Sequence, residues 1–294
     1  MRRSLLFLPG NNPNMIINAS CLGSDAIIFD LEDAVAPAEK DAARILVRNT
    51  LRYTDLSGID IIVRINSVDT DYWKSDLDLI LPECPDVILL PKASTPADVL
   101  TVDAYMSELE EKSGLECGAV ALMPLIETAM GVENAYAIAS ATSRVCALFL
   151  GAEDLTADLR CKRTKEGREI EYARQRLVVA ARAAGVDVYD TPFTDVNDDE
   201  GIVADATLAK SLGFTGKASI SPRHVDVINQ VFSPTLKEID YAYEVLDAIA
   251  LAKKQGKGAV SLYGKMIDAP IVARAEQTIA MAEALGLNRR NNHE

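Results

Sequence analysis

Histidine is nearly missing from this chain. It occurs 2 times in 294 residues, and one copy, His293, stands next to the end. A histidine-based triad or a His-rich metal centre is therefore nearly excluded. The 5 cysteines, Cys21, Cys84, Cys117, Cys146 and Cys161, are scattered and form no CxxC pair. Neither a disulfide frame nor a zinc site is expected from them. Positive charge is short too: 30 Lys and Arg face 44 Asp and Glu, a net charge of −14. That balance argues against nucleic acid and anionic membranes as partners. No apolar run approaches the roughly 20 residues that span a bilayer. The N-terminus, Met1-Arg-Arg-Ser-Leu-Leu-Phe-Leu-Pro-Gly10, starts like a signal peptide. Its apolar part is only about four residues long and no small-residue cleavage site follows. It reads as a first strand, and a cytoplasmic location is expected. A G-x-G-x-x-G turn is also lacking after that strand, where Pro9-Gly10-Asn11-Asn12-Pro13 stands instead. A doubly wound open sheet is therefore the second choice of fold.

What is present is a repeated alternation of strand-like and helix-like segments. Short apolar runs recur at Ser4–Leu8, Ala26–Asp30, Ile61–Ile65, Val87–Leu90, Ala119–Ile126, Val145–Leu150, Asp187–Tyr189 and Ala218–Ile220. Several are continuously apolar, as parallel strands buried on both faces are. Helical segments are expected between most of them: Asn14–Leu22, Pro37–Thr50, Ser75–Leu81, Pro96–Lys112, Met130–Ser143, Thr164–Ala184 and Asp198–Leu212. Eight such repeats predict a (β/α)8 TIM barrel over residues 1–232. Residues 233–294 predict a C-terminal helical extension, a lid or oligomer arm, with helices ending near Lys254 and Leu285. The last residues, 288–294, are expected to be disordered.

In such a barrel the chemistry sits where strands end. The runs ending at Ile126 and Leu150 stop at carboxylates, Glu127 in one case and Glu153 and Asp154 in the other. Two acids at one rim repel unless a cation lies between them, and Mg²⁺ is commonly held by one or two carboxylates plus substrate oxygens. The plain reading is a salt bridge for Glu127 and a helix cap for Asp154. Phe29-Asp30-Leu31-Glu32-Asp33 adds three acids that are costly to gather without a cation or water. Arg64, inside an apolar run, needs a carboxylate partner, either a protein acid or one on a substrate. Lys92 after the fourth strand is a Schiff-base candidate or, more simply, an ion-pair partner of the acidic rim. Pro9 and Asn11 flank a turn where backbone could approach a nucleotide.

Taken together, these stretches resemble a known family. Arg2-Arg-Ser-Leu-Leu-Phe-Leu-Pro-Gly10, Phe29-Asp-Leu-Glu-Asp33 with Glu39-Lys-Asp41, Val63-Arg-Ile-Asn66, Leu90-Pro-Lys92, Ile126-Glu127, Leu150-Gly-Ala-Glu-Asp154, Gly213-Phe-Thr-Gly-Lys217 and Gly264-Lys-Met-Ile-Asp-Ala-Pro270 run nearly end to end. They are similar to the HpcH/HpaI aldolase and malyl-CoA lyase family, on its citrate lyase beta-subunit branch. The resemblance implies a metal-dependent barrel, often trimeric, that cleaves a citryl thioester carried on CoA or on an acyl carrier protein. It implies Glu127 and Asp154 as ligands of Mg²⁺, with Mn²⁺ as an alternative, and Arg64 and Glu127 as substrate contacts. Glu32 and Asp33 would hold metal-bound water nearby. Asp268 would be a lid aspartate acting in a neighbouring subunit, as a proton shuttle. Adenine and phosphate contacts are implied around Arg3, Ser4, Pro9, Asn11 and Lys92. Acyl carrier and acyltransferase subunits are the implied partners. Two other readings stay open: a stand-alone malyl-CoA or citramalyl-CoA lyase, and a non-catalytic barrel that scaffolds an acyl carrier. The scaffold reading predicts an acid or arginine missing from the rim.

Overall fold

The computed structural model describes residues 1–254 and 260–287. The terminal segment 288–294 and the stretch 255–259, with Gly256 and Gly258, lie outside them. Eight parallel strands close into a barrel in sequence order. They are β1 (Ser4–Pro9), β2 (Ala26–Asp30), β3 (Asp60–Arg64), β4 (Val87–Leu90), β5 (Ala121–Ile126), β6 (Ala147–Leu150), β7 (Asp187–Asp190) and β8 (Gly216–Ser219). Between and after them run α1 (Pro13–Ile16), α2 (Lys40–Tyr53), α3 (Trp73–Ile80), α4 (Pro96–Ser113), α5 (Ala129–Glu133), α6 (Ala135–Ala139), α7 (Ala152–Asp158), α8 (Glu171–Ala184), α9 (Asp199–Leu212) and α10 (Val225–Phe232). Residues 2–232 form one compact unit.

Why the strands are apolar on both sides follows from the period of two along each strand. One parity fills the barrel interior with Leu5, Ile28, Ile62, Val87, Leu89, Met123, Leu125, Phe149 and Tyr189. The other parity, with Leu6, Leu8, Ile27, Phe29, Val63, Ile88, Leu90 and Leu148, packs against the surrounding helices. Each strand therefore buries both faces, and a charged residue within it would be costly unless it is paired or lies at the rim.

Three helices differ from the sequence expectation. The stretch expected as one helix, Met130–Ser143, is two short helices, α5 and α6, broken at Asn134 (φ −88°, ψ 4°). The Asn134 side chain donates to the Ser94 carbonyl at 2.9 Å, a tertiary bond that competes with helix continuation. The helix expected from Thr164 starts only at Glu171, because Gly167 adopts φ 65°, a left-handed conformation that stops a helix. The first helix is a single turn, Pro13–Ile16, followed by a 3₁₀ turn at Ala19–Cys21. The helix that Asp154 would cap is α7, but its N-cap is Gly151 and Asp154 lies in its first turn; α10 lies outside the helical segments expected from the sequence.

The second unit comprises Met1 and residues 233–294. It contains α11 (Leu236–Lys254), an antiparallel hairpin of β9 (Val260–Leu262) and β10 (Lys265–Ile267), and α12 (Ala269–Ala284). Ala242, Val245, Ile267, Ala275 and Ile279 form its own apolar core. Among the described residues, no helix is long and apolar enough to cross a membrane.

Candidate active site

Following the interior parity to the last residue of each strand, or to the residue just past it, picks out the residues that look into the barrel mouth. For β1, β2, β3, β5, β6, β7 and β8 these are Pro9, Asp30, Arg64, Glu127, Gly151, Thr191 and Ile220. All seven line one cavity of about 500 Å³, together with Phe7, Asp33, Leu125, Phe149 and Asp154. The floor is apolar: the Phe7 and Phe149 rings stack with centroids 5.9 Å apart.

Asp30 and Arg64 are register partners on β2 and β3. Their side chains meet in a two-pronged pair, Nε to Oδ1 and Nη2 to Oδ2, each 2.7 Å. Of the two partners open for Arg64, the protein acid is thus present, and it is Asp30. The remaining edge of the guanidinium turns to Glu32, with Nη1 3.0 Å from Oε2, and to Asp33 at 3.6 Å. Burial would raise the Asp30 carboxyl, but Arg64 and the backbone N–H groups of Glu32 and Ala34 hold it below the usual range.

Glu127 is 4% exposed. Its Oε1 accepts the backbone N–H of Lys92 at 2.8 Å. Burial, then the charges of Glu32 and Asp154, push its carboxyl up to about 8, against the pull of Arg64. Glu32 is raised as well, by burial and by Asp33, although Arg64 and Lys92 oppose the shift. Its buried Oε2 meets Arg64 as an ion pair at 3.0 Å, without a well-aligned hydrogen bond. Asp154 sits in the first turn of α7, and its Oδ2 lies 3.4 Å from Lys92 Nζ.

Lys92 takes the left-handed backbone conformation, φ 55°, which aims its N–H at Glu127. Its ammonium pairs with Glu32 at 2.8 Å and lies 3.9 Å from Asp33. Burial opposes its charge, but Glu32, Asp33 and Asp154 more than compensate and raise its pKa. A lysine held protonated in this way is an anion partner and a poor imine-forming nucleophile. The ion-pair alternative for Lys92 is the one seen. It borders a second depression, with Glu32, Asp33 and Lys40.

The remaining sequence candidates separate. Pro9 is at the cavity. Asn11 is outside the cavity lining, and its side-chain amide donates to Glu39. Arg3 and Ser4 belong to the opposite end: Arg3 binds Asp25 at 2.7 Å and Ser4 binds Asn229 at 2.7 Å, where β1 begins. They cannot join a ligand at the mouth while β1 runs between. Asp268, in the second unit, caps α12 by accepting the Ile271 N–H at 3.2 Å. Sequence reasoning missed Gly151 and Thr191 and saw Asp30 only as one acid among three. The strand parity could have found all of them.

The donor set fits a hard divalent cation. Among the described residues no three His, Cys, Asp or Glu side chains form a closed metal cage. Mg²⁺ needs none, since it keeps several waters or substrate oxygens beside one or two carboxylates. The raised carboxyls of Glu127 and Glu32 are signs of a site short of positive charge. Gly151 supports the cluster sterically: a Cβ there would lie 2.5 Å from Glu127 Oε2.

A closed parallel barrel with an acid-rich cavity at its carboxyl rim is the architecture of an enzyme acting on small molecules. The profile of the HpcH/HpaI aldolase/citrate lyase family matches residues 3–222, and the chain belongs to that family. It is 43% identical to citrate lyase subunit beta of Leuconostoc mesenteroides subsp. cremoris over 284 residues, covering 97% of this chain and 94% of that one. It is 34% identical to human mitochondrial citramalyl-CoA lyase over 295 residues, covering 97% of this chain and 86% of that one. Among solved structures, it is similar to CitE of Mycobacterium tuberculosis in complex with magnesium, acetoacetate and coenzyme A. That match has a TM-score of 0.78, 30% identity, and covers 96% of this chain and 98% of that one.

Proposed function

We propose that the chain is a Mg²⁺-dependent carbon–carbon lyase that cleaves a citryl thioester into oxaloacetate and an acetyl thioester. The observation that carries this reading is the meeting of Glu127, Asp154 and Arg64 on one cavity, in a chain similar along nearly its whole length to citrate lyase beta subunits.

The reaction is a retro-Claisen cleavage. The tertiary hydroxyl loses a proton, the adjacent C–C bond breaks, its electron pair passes into the thioester as an enolate, and the enolate carbon takes up a proton. Glu127 and Asp154 would hold Mg²⁺, which supplies Lewis acidity to the substrate's hydroxyl and carboxylate oxygens when bound. Arg64, fixed by Asp30, is assigned as the positive group beside the forming ketone and its carboxylate. The protonated Lys92 offers a second cation for an anionic substrate group. Glu32 and Asp33 are assigned to ordered water beside the cation. The Phe7 and Phe149 floor excludes water beneath the reacting carbons. Asp268 is assigned the proton transfer in a neighbouring subunit's site, with a homo-oligomer, a trimer by family resemblance, as the working form. The thioester arm is that of CoA or of an acyl carrier protein, with an acyltransferase subunit as further partner and a cytoplasmic setting.

A second reading, a stand-alone malyl-CoA or citramalyl-CoA lyase on the same site, draws support from the similarity to human citramalyl-CoA lyase. The scaffold reading is disfavoured, because acid and arginine alike reach the cavity. The purified chain, given citryl-, malyl- and citramalyl-CoA in turn, separates the candidates by product: oxaloacetate, glyoxylate or pyruvate. Oxaloacetate is expected as the fastest product with Mg²⁺ and none is expected in EDTA. Full activity in EDTA would reject the metal role.

A further inference from the structure

The end of β7 carries a residue with contacts on two sides. Thr191 is 1% exposed and lines the cavity. Its Oγ1 accepts the backbone N–H of Ala152 at 3.1 Å. Ala152 opens α7, the helix whose first turn holds Asp154. The Thr191 carbonyl in turn accepts from Lys217 Nζ at 2.6 Å. Lys217 is locked among Asp190 at 2.6 Å and Asp205 at 2.6 Å, which also bind Arg174 at 2.8 and 2.7 Å. A buried and rigid block therefore ends in one hydroxyl that touches the Asp154 helix.

The same turn is pinned from the other side. The Gly151 N–H donates to the Ile126 carbonyl at 3.0 Å. Gly151 also packs directly against the Glu127 side chain. Residues 151 and 152 are thus held by β5 through Gly151 and by β7 through Thr191, with Glu127 on one strand end and Asp154 two residues onward.

We propose that Thr191 is a positioning residue for the divalent-cation site. By fixing Ala152, its hydroxyl sets how the Asp154 carboxylate stands relative to that of Glu127. This rests on the metal reading given above. Removing the acceptor leaves a buried N–H unsatisfied, and the turn shifts to find another partner. Small displacements matter for a cation that demands near-ideal geometry. Outer partners of metal ligands typically change affinity by about 10–100-fold when removed.

The test uses the full-length chain without thioester. Mg²⁺ is titrated calorimetrically into wild type, Thr191→Val and Thr191→Ser, with Thr191→Ala as the smaller deletion should the valine variant fold poorly. Melting temperatures are taken in EDTA in parallel. The hydroxyl-free variants should bind Mg²⁺ about 10–100-fold more weakly, and Thr191→Ser should restore wild-type affinity. A hydroxyl-free variant with lowered melting temperature but wild-type Mg²⁺ affinity would show a purely structural role and overturn the proposal. Failure of serine to rescue would overturn it too. A wild type that binds no Mg²⁺ would remove the functional reading itself, and this assignment with it.

Discussion

Two groups of charged side chains lie in the same barrel, and they have opposite character. Between the barrel and its outer helices, Arg174 of α8 and Lys217 of β8 face Asp190 of β7 and Asp205 of α9, two against two, with exposures of 1%, 0%, 0% and 6%. Burial would raise Asp205, yet Lys217 and Arg174 bring it below its ordinary value. At the mouth, Asp30, Glu32, Asp33, Glu127 and Asp154 face Arg64 and Lys92. A third cation, Lys40, turns its ammonium onto the carbonyls of Leu31 and Glu32, at 2.7 and 2.6 Å. There the carboxyls of Glu32 and Glu127 move upward instead. A balanced group stabilises the fold as it stands, whereas an acid-rich one leaves room for an added positive ligand. In the sequence Asp190, Glu127 and Asp154 look alike, as acids closing a β-like run. The neighbours brought up by the fold separate them.

The comparison breaks most visibly in opposite readouts of single acid removals. Asp154→Asn should cost about 10³-fold in kcat/KM, the size expected for several kcal/mol of transition-state charge stabilisation. It should also abolish the Mg²⁺-induced rise in melting temperature while leaving the melting temperature in EDTA unlowered, since one repelling acid is gone. Asp205→Asn should do the reverse to stability and lose about 3–5 kcal/mol in urea unfolding at neutral pH, because two buried cations keep only one carboxylate. The sign with pH follows from its lowered folded pKa. The wild-type contribution is present above the unfolded value, near 4, and is lost as pH falls through the folded one. The gap between wild type and Asp205→Asn should therefore shrink in acid, and a gap that widens below pH 4 would contradict the assignment. The smallest effect is expected for Gly151→Ala. The added Cβ would lie 2.5 Å from Glu127 Oε2, a crowding that costs about 1–3 kcal/mol. Mg²⁺ affinity should fall with it, and unchanged titration curves would show that the turn does not brace the acids.

Much of the barrel was legible because its strands are buried twice. Continuous apolar runs such as Ala119–Ile126 and Val145–Leu150 need no tertiary information to be read as strands, and their acidic ends marked Glu127 and Asp154. Helix breaks were less legible. Asn134 interrupts α5 and α6 through a bond to Ser94, 40 residues away. The pairing of Asp30 with Arg64 spans 34 residues and depends on the register of β2 against β3. The link from Thr191 to Ala152 spans 39 residues and depends on the pairing of β6 with β7.

The amino-acid order alone determined the repeated strand and helix pattern, the family resemblance and which strand ends carry acids, since these depend on apolar periodicity and local residue type. Only the closed barrel decided which acids are neutralised and which are left in excess. Charge balance depends on distances of a few ångströms between strands far apart in the chain, and local sequence does not contain them.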